Sequence, residues 1–238
     1  MGLTISVGYL AALKLELDPD ELEEWKEPFD LLNDVLRQAG IAPHYEPETL
    51  PVEDRFEAQM IGYQGLHDVR RLAAHWSMTG RLPEPSLPGT DSAHDAMGEQ
   101  VVHVLQRNRF RSRKRGWFGM SSSRELFAHL QLHSDAEGFY VPMDFEDVLF
   151  ESPDAENSGL GGMVGSSIRL LAECEILARL IDLPRGIDPE DEQLWEVAET
   201  PAPSGPLWQR YGREAFGLAR LITACQLSRD HKACVVFC

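Results

Sequence analysis

The chain has 238 residues, 43% of them hydrophobic, and a formal charge of −17 at pH 7. That length and apolar share allow a buried core without metal or disulfide support, and no run of 18 apolar residues marks a membrane span. A field this negative repels phosphate backbones and anionic lipid, so the expected partner is a protein, with no general nucleic-acid binding and no membrane association.

The opening MGLTISVGYLAALKLELD carries no basic leader, which points to a cytoplasmic protein, and residues 3–10 read as a strand. Asp18 is a fitting N-cap, with Pro19 at the first helical position. Leu22, Trp25, Phe29, Leu32, Val35 and Leu36 recur at helical spacing until Gly40 stops the run. One amphipathic helix with a strongly acidic outer face is predicted there. Residues 41–62 hold Pro43, Pro47 and Pro51 and read as an irregular connection. Helices follow over 64–79 and 92–107, separated by a loop rich in proline.

The character then changes. Arg107, Arg109, Arg111, Arg113, Lys114 and Arg115 crowd together ahead of Gly116, Trp117 and Phe118. Residues 107–123 read as a mobile basic loop, an arm that would dock on the protein's own acidic helices or on an acidic neighbour. Residues 126–132 and 139–143 read as the strands of a central β-hairpin, and Pro142 puts the second at an edge or ends its pairing. A glycine-rich stretch leads into a helix over 166–182, and a short acidic helix fits 188–199. A last helix over 206–228 precedes a terminal strand, 233–238, expected to pair with the first strand or the hairpin. Long helical runs with few short strands make the fold class α+β: a mostly helical single domain with a small antiparallel sheet. Cys174 and Cys225 sit in apolar helical patterns, and Cys234 and Cys238 are too far apart along a strand to bridge, so all four read as reduced.

Two segments could seat chemistry. His133, Asp135, Glu137 and Asp144 offer an imidazole and three carboxylates around the predicted turn, donors suited to acid–base work or ligand binding. The same residues also make a sound structural turn, since Asp bonds neighbouring backbone and Gly138 supplies positive φ. Gly162, Gly165, Ser166 and Ser167 stand ahead of a helix, where exposed N–H groups favour an anion, although a plain N-cap serves equally well. No Gly-Lys-Ser/Thr box follows and no clear strand precedes, which removes the P-loop and dinucleotide patterns. His67 and His75 lie two helical turns apart, too far for one metal. No catalytic signature, cofactor or metal set announces itself.

The start Met1–Gly2–Leu3–Thr4–Ile5–Ser6–Val7–Gly8, the segment from His133–Ser134–Asp135 through Asp144–Phe145, and Gly161–Gly162 with Gly165–Ser166–Ser167 resemble a group of uncharacterised bacterial proteins. The resemblance implies a bacterial cytosolic origin and brings no activity with it. Two readings of function result. The first is a non-enzymatic acidic protein that captures a basic protein partner, as an immunity protein neutralises a toxin. The alternative is a small-molecule-binding domain or enzyme that sets the His/Asp cluster beside the glycine-rich helix start.

Overall fold

The computed structural model describes residues 2–112, 126–134, 137–151 and 160–238, with the side chains of 108–112 excepted. Two compact units divide the chain. The first takes Met1–Gln59, His133–Leu171 and Leu221–Cys238; the second takes Met60–Leu132 and Ala172–Arg220.

The first unit holds the sheet. Its strands are β1 (Thr4–Val7), β2 (Phe56–Gln59), β3 (Gly138–Val141), β4 (Leu149–Phe150), β5 (Met163–Ser166) and β6 (Val235–Phe237). They lie in the order β2-β1-β6-β3-β5-β4. The β3–β5 pair is parallel, with Val141 opposite Ser166, and the remaining pairs are antiparallel. The terminal strand pairs with both β1 and β3, so it occupies the middle of the sheet.

Three helices follow β1: α1 (Tyr9–Leu13), α2 (Pro19–Glu24) and α3 (Glu27–Gln38). Leu22, Phe29, Leu32 and Leu36 turn inward against Phe139, Val141, Val164 and Val236. Burying each of these large side chains stabilises the unit by roughly 1.5–3 kcal/mol. Asp18 caps α2 by accepting from the amides of Asp20 and Glu21, while Glu21 reaches back to the Asp18 amide, a complete capping box.

The second unit is helical. It contains α4 (Gln64–Thr79), α5 (Ala96–Ser112), α6 (Ala128–Gln131), α8 (Glu192–Glu199) and α9 (Leu207–Arg210). The unit boundaries fall inside α7 (Ser167–Leu180) and α10 (Gly212–His231). Ala74, Val101, Leu105, Leu126 and Ala128 form one of its apolar clusters. Its interior includes a buried ion pair, Arg213 Nε to Asp68 Oδ2 at 2.7 Å, with Ser92 donating to Asp68 Oδ1 at 2.5 Å.

The α+β class and most helix positions agree with the sequence reading. Several elements differ, each for a local reason. The sheet is mixed and not wholly antiparallel, because β3 and β5 run the same way. Among the described residues of 126–143, the predicted hairpin is not seen. Its first arm is the short helix α6, whose residues Ala128, His129, Leu130 and Gln131 are all buried. The buried Glu173 carboxylate accepts from the amides of His129 and Leu130 and so holds that turn. Pro142 does end a strand, since β3 stops at Val141, but β3 is interior to the sheet. The acidic helix predicted after Asp18 is two helices. Pro28 has no N–H to offer the preceding turn and sits in the first turn of α3. The irregular segment 41–62 contributes strand β2. The predicted basic loop begins as helix, since α5 runs through Ser112 and carries Arg109 and Arg111. Arg113, Lys114 and Arg115 lie outside the described residues.

Candidate functional site

The acidic surface is built helix by helix. In α3 the inward residues Phe29, Leu32 and Leu36 leave Glu27, Asp30 and Asp34 on the exposed face at i, i+3 and i+7. At 1.5 Å of rise per residue, these carboxylates stand about 4.5 and 6 Å apart along the axis. Asp20, Glu23 and Glu24 extend the exposed acidic run through α2. Between residues 16 and 34 the chain holds nine carboxylates and one cation, Lys26.

That cation is shared between Glu48 and one carboxylate of the run, Glu23. Lys26 Nζ bonds Glu48 Oε1 at 2.8 Å and Glu23 at 3.0 Å, and Lys14 bonds the other Glu48 oxygen at 2.9 Å. Hydrogen bonds from Lys26 and then Lys14 pull the Glu48 carboxyl down to about 2. Asp34 is paired with Arg37 at 2.6 Å. Among the described residues, Asp20, Glu24, Glu27 and Asp30 have no cation within ion-pair distance.

The second unit repeats the pattern by itself. In α8, Leu194, Val197 and Ala198 are buried and Glu192, Glu196 and Glu199 are exposed at i, i+4 and i+7. Asp191 caps the helix by accepting from the amide of Gln193 at 2.8 Å. No lysine or arginine occurs between Arg185 and Arg210. Glu190 is paired with Arg220, whose guanidinium is buried and lies 3.5 Å from the Phe216 ring centre. Burial is the main reason that guanidinium falls to about 10, against the pull of Glu190. A half-exposed tryptophan stands in each acidic run, Trp25 after α2 and Trp195 within α8.

The residues singled out in the sequence do not converge. His133 is buried, with its ring stacked on Tyr140 at 5.5 Å and edge-on to Phe237 at 4.1 Å. Its Nδ1 faces the Ser134 carbonyl. It lies by Gly138 at the start of β3. Asp144 lies beyond the other end of that strand, where it pairs with Arg169. A four-residue strand spans roughly 10 Å, so the two side chains do not reach one reacting atom. Glu137 is exposed, and Asp135 lies outside the described residues.

Ser166 and Ser167 are consumed in tying the fold. The Ser166 hydroxyl donates to the Met143 carbonyl at 2.5 Å and accepts from the Arg169 amide at 3.1 Å. Ser167 donates to the Val141 carbonyl at 3.2 Å and accepts from Ser228 at 2.8 Å. A strand does precede this helix, contrary to the sequence reading: β5 runs straight into α7. Gly165 belongs to that strand and admits the Tyr140 ring, since a Cβ there would meet the ring at 2.3 Å. Gly162 is exposed at φ 79° in the turn before β5. His75 and Arg71, on α4, both face Asp95, at 3.1 and 3.4 Å. Asp95 in turn caps α5, so this trio fixes a helix start.

The acidic runs agree with what comparison finds. Over residues 1–237 the chain matches the family described as "Putative DNA-mimic protein". The chain belongs to that family. No curated protein and no solved structure matches it. Membership corrects one expectation, that of no general nucleic-acid binding: the description as a DNA mimic ties the family to proteins that bind DNA.

Sequence reasoning also missed a group that only the fold assembles. His44 and Glu46, on the segment between α3 and β2, meet Cys234 at the start of β6. Their ligand atoms lie within 4.8 Å of one another. Burial, with Glu46 alongside, pushes the Cys234 thiol well up. A separation of 188 residues leaves no local spacing to detect.

Proposed function

We propose that this protein is a non-enzymatic inhibitor that occupies the DNA-binding surface of a basic protein, with an acidic stripe, that on α3 or that on α8 taken each by itself, standing in for phosphates. One observation carries the reading: each acidic helix presents carboxylates over two turns, and although Arg37 pairs with Asp34 and Lys26 with Glu23, Asp20, Glu24, Glu27 and Asp30 have no cation within ion-pair distance among the described residues. Duplex DNA carries one charge per 3.4 Å of axis on each strand, about the same order as the 4.5–6 Å rises on α3. A surface evolved to release counterions from phosphates gains the same advantage from such carboxylates. Half-exposed Trp25 adds an aromatic surface against which an arginine of the partner can stack while a carboxylate pairs with it, whereas the Trp195 ring already carries Arg220 at 4.9 Å. Capture of a basic protein, in the manner of an immunity protein, is then a special case in which the basic surface is the one that holds DNA.

The test uses proteins of the native host that elute from a DNA-cellulose column. Immobilised protein is expected to retain one or more of them, to release them to added duplex DNA, and to lose them when Glu27, Asp30, Asp34, Glu192, Glu196 and Glu199 are replaced by their amides. Retention indifferent both to DNA and to those replacements overturns the reading.

A further inference from the structure

We propose that His44, Glu46 and Cys234 form a site for one zinc ion, a role separate from the acidic surface. The donor set is an imidazole nitrogen, a carboxylate oxygen and a thiol sulfur, the three ligand types zinc takes, and thiol with imidazole disfavours the hard cations calcium and magnesium. The atoms already sit within 4.8 Å of one another. Ligands around a tetrahedral zinc stand about 3.3–3.6 Å apart, given bonds of about 2.0–2.3 Å, so binding calls for side-chain adjustment only.

The hydrogen bonding of Glu46 is incomplete in a way a cation would complete. Glu46 Oε2 accepts from His44 Nε2 at 2.8 Å and from the Cys234 amide at 2.7 Å. Glu46 Oε1 is buried and meets no hydrogen-bond donor in good geometry among the described residues; only the Cys234 thiol stands close enough to interact with this carboxylate besides the two donors named, and the side chain is 1% exposed. A carboxylate oxygen out of water without a donor is among the costlier atoms a fold can hold. Zinc would take its place opposite that oxygen, the imidazole nitrogen and the sulfur.

Charge closes in the same way. When the thiol releases its proton to solvent, thiolate and carboxylate together balance the two charges of zinc, with His44 neutral. The buried site then carries no net charge. The backbone is already fixed for this: Asn33 on α3 donates to the His44 carbonyl at 2.9 Å and accepts from the His44 amide at 2.7 Å. Metal binding would pin the segment between α3 and β2 to the start of β6, all within the first unit.

The experiment titrates cobalt(II), a spectroscopic stand-in for zinc, into reduced, untagged protein carrying Cys238→Ser, which removes the one exposed thiol. A thiolate-to-cobalt charge-transfer absorption saturating at one ion per chain, bleached by zinc, is expected. It should vanish in Cys234→Ser and saturate at least about tenfold more weakly in Glu46→Gln, a variant that keeps size and fold. Zinc should also raise the melting temperature of the parent and leave that of Cys234→Ser unmoved. Absence of the absorption from folded parent protein, or its full persistence in either variant, overturns the proposal.

Discussion

At the residue scale, two buried positions set measurable limits. Gly165 is required by contact and not by backbone, because the Tyr140 ring lies where a Cβ would be. Gly165→Ala is expected to destabilise the protein by about 2 kcal/mol through overpacking, read as a melting temperature roughly 5 °C lower. Glu214 is fully buried, and desolvation is the largest cause raising its carboxyl to about 7. Only one of its oxygens is engaged, by the Ser86 amide at 2.9 Å. The folded state therefore binds this proton more tightly than the unfolded chain, whose value is near 4.5. Stability contributed here is present below about 4.5 and is lost as pH rises through about 7. Relative to Glu214→Gln, which does not titrate, the wild type should lose about 2–3 kcal/mol between pH 5 and pH 8 in denaturant melts. A constant difference across that range would refute the assignment.

At the scale of elements, the acidic helices separate fold from function cleanly. Phe29, Leu32 and Leu36 carry the packing of α3, and Glu27, Asp30 and Asp34 touch solvent. Replacing those three carboxylates by amides should leave the melting temperature within about 2 °C while slowing association with a basic partner about tenfold at low salt. Stopped-flow mixing at two ionic strengths reads both the rate and its salt dependence. Asp18→Ala should behave in the opposite manner. Loss of the capping box costs about 1 kcal/mol of stability, and the association rate changes little because seven other carboxylates of the 16–34 run remain outside α2's cap.

At the scale of the molecule, the family description and the −17 charge meet in one property, a surface that answers to cations. Complex formation should weaken steeply as salt rises, in the way protein–DNA complexes do. What the sequence determined by itself was what depends on neighbours along the chain. The capping box at Asp18 and Glu21, the amphipathic period of α3 and α4, the acidic stretch 188–199 and the strand-ending Pro142 could each be read from spacing. The short helix α6 could not, because residues 126–131 are buried by tertiary packing and the amides of His129 and Leu130 answer to the distant Glu173 carboxylate. His133 looked like a functional histidine until Tyr140 and Phe237 closed around its ring. His44, Glu46 and Cys234 carried no signal, since contact between residues 188 apart exists only once β6 enters the middle of the sheet. Local propensity and pattern act within a few residues, whereas burial and the meeting of remote side chains are decided by which strands pair.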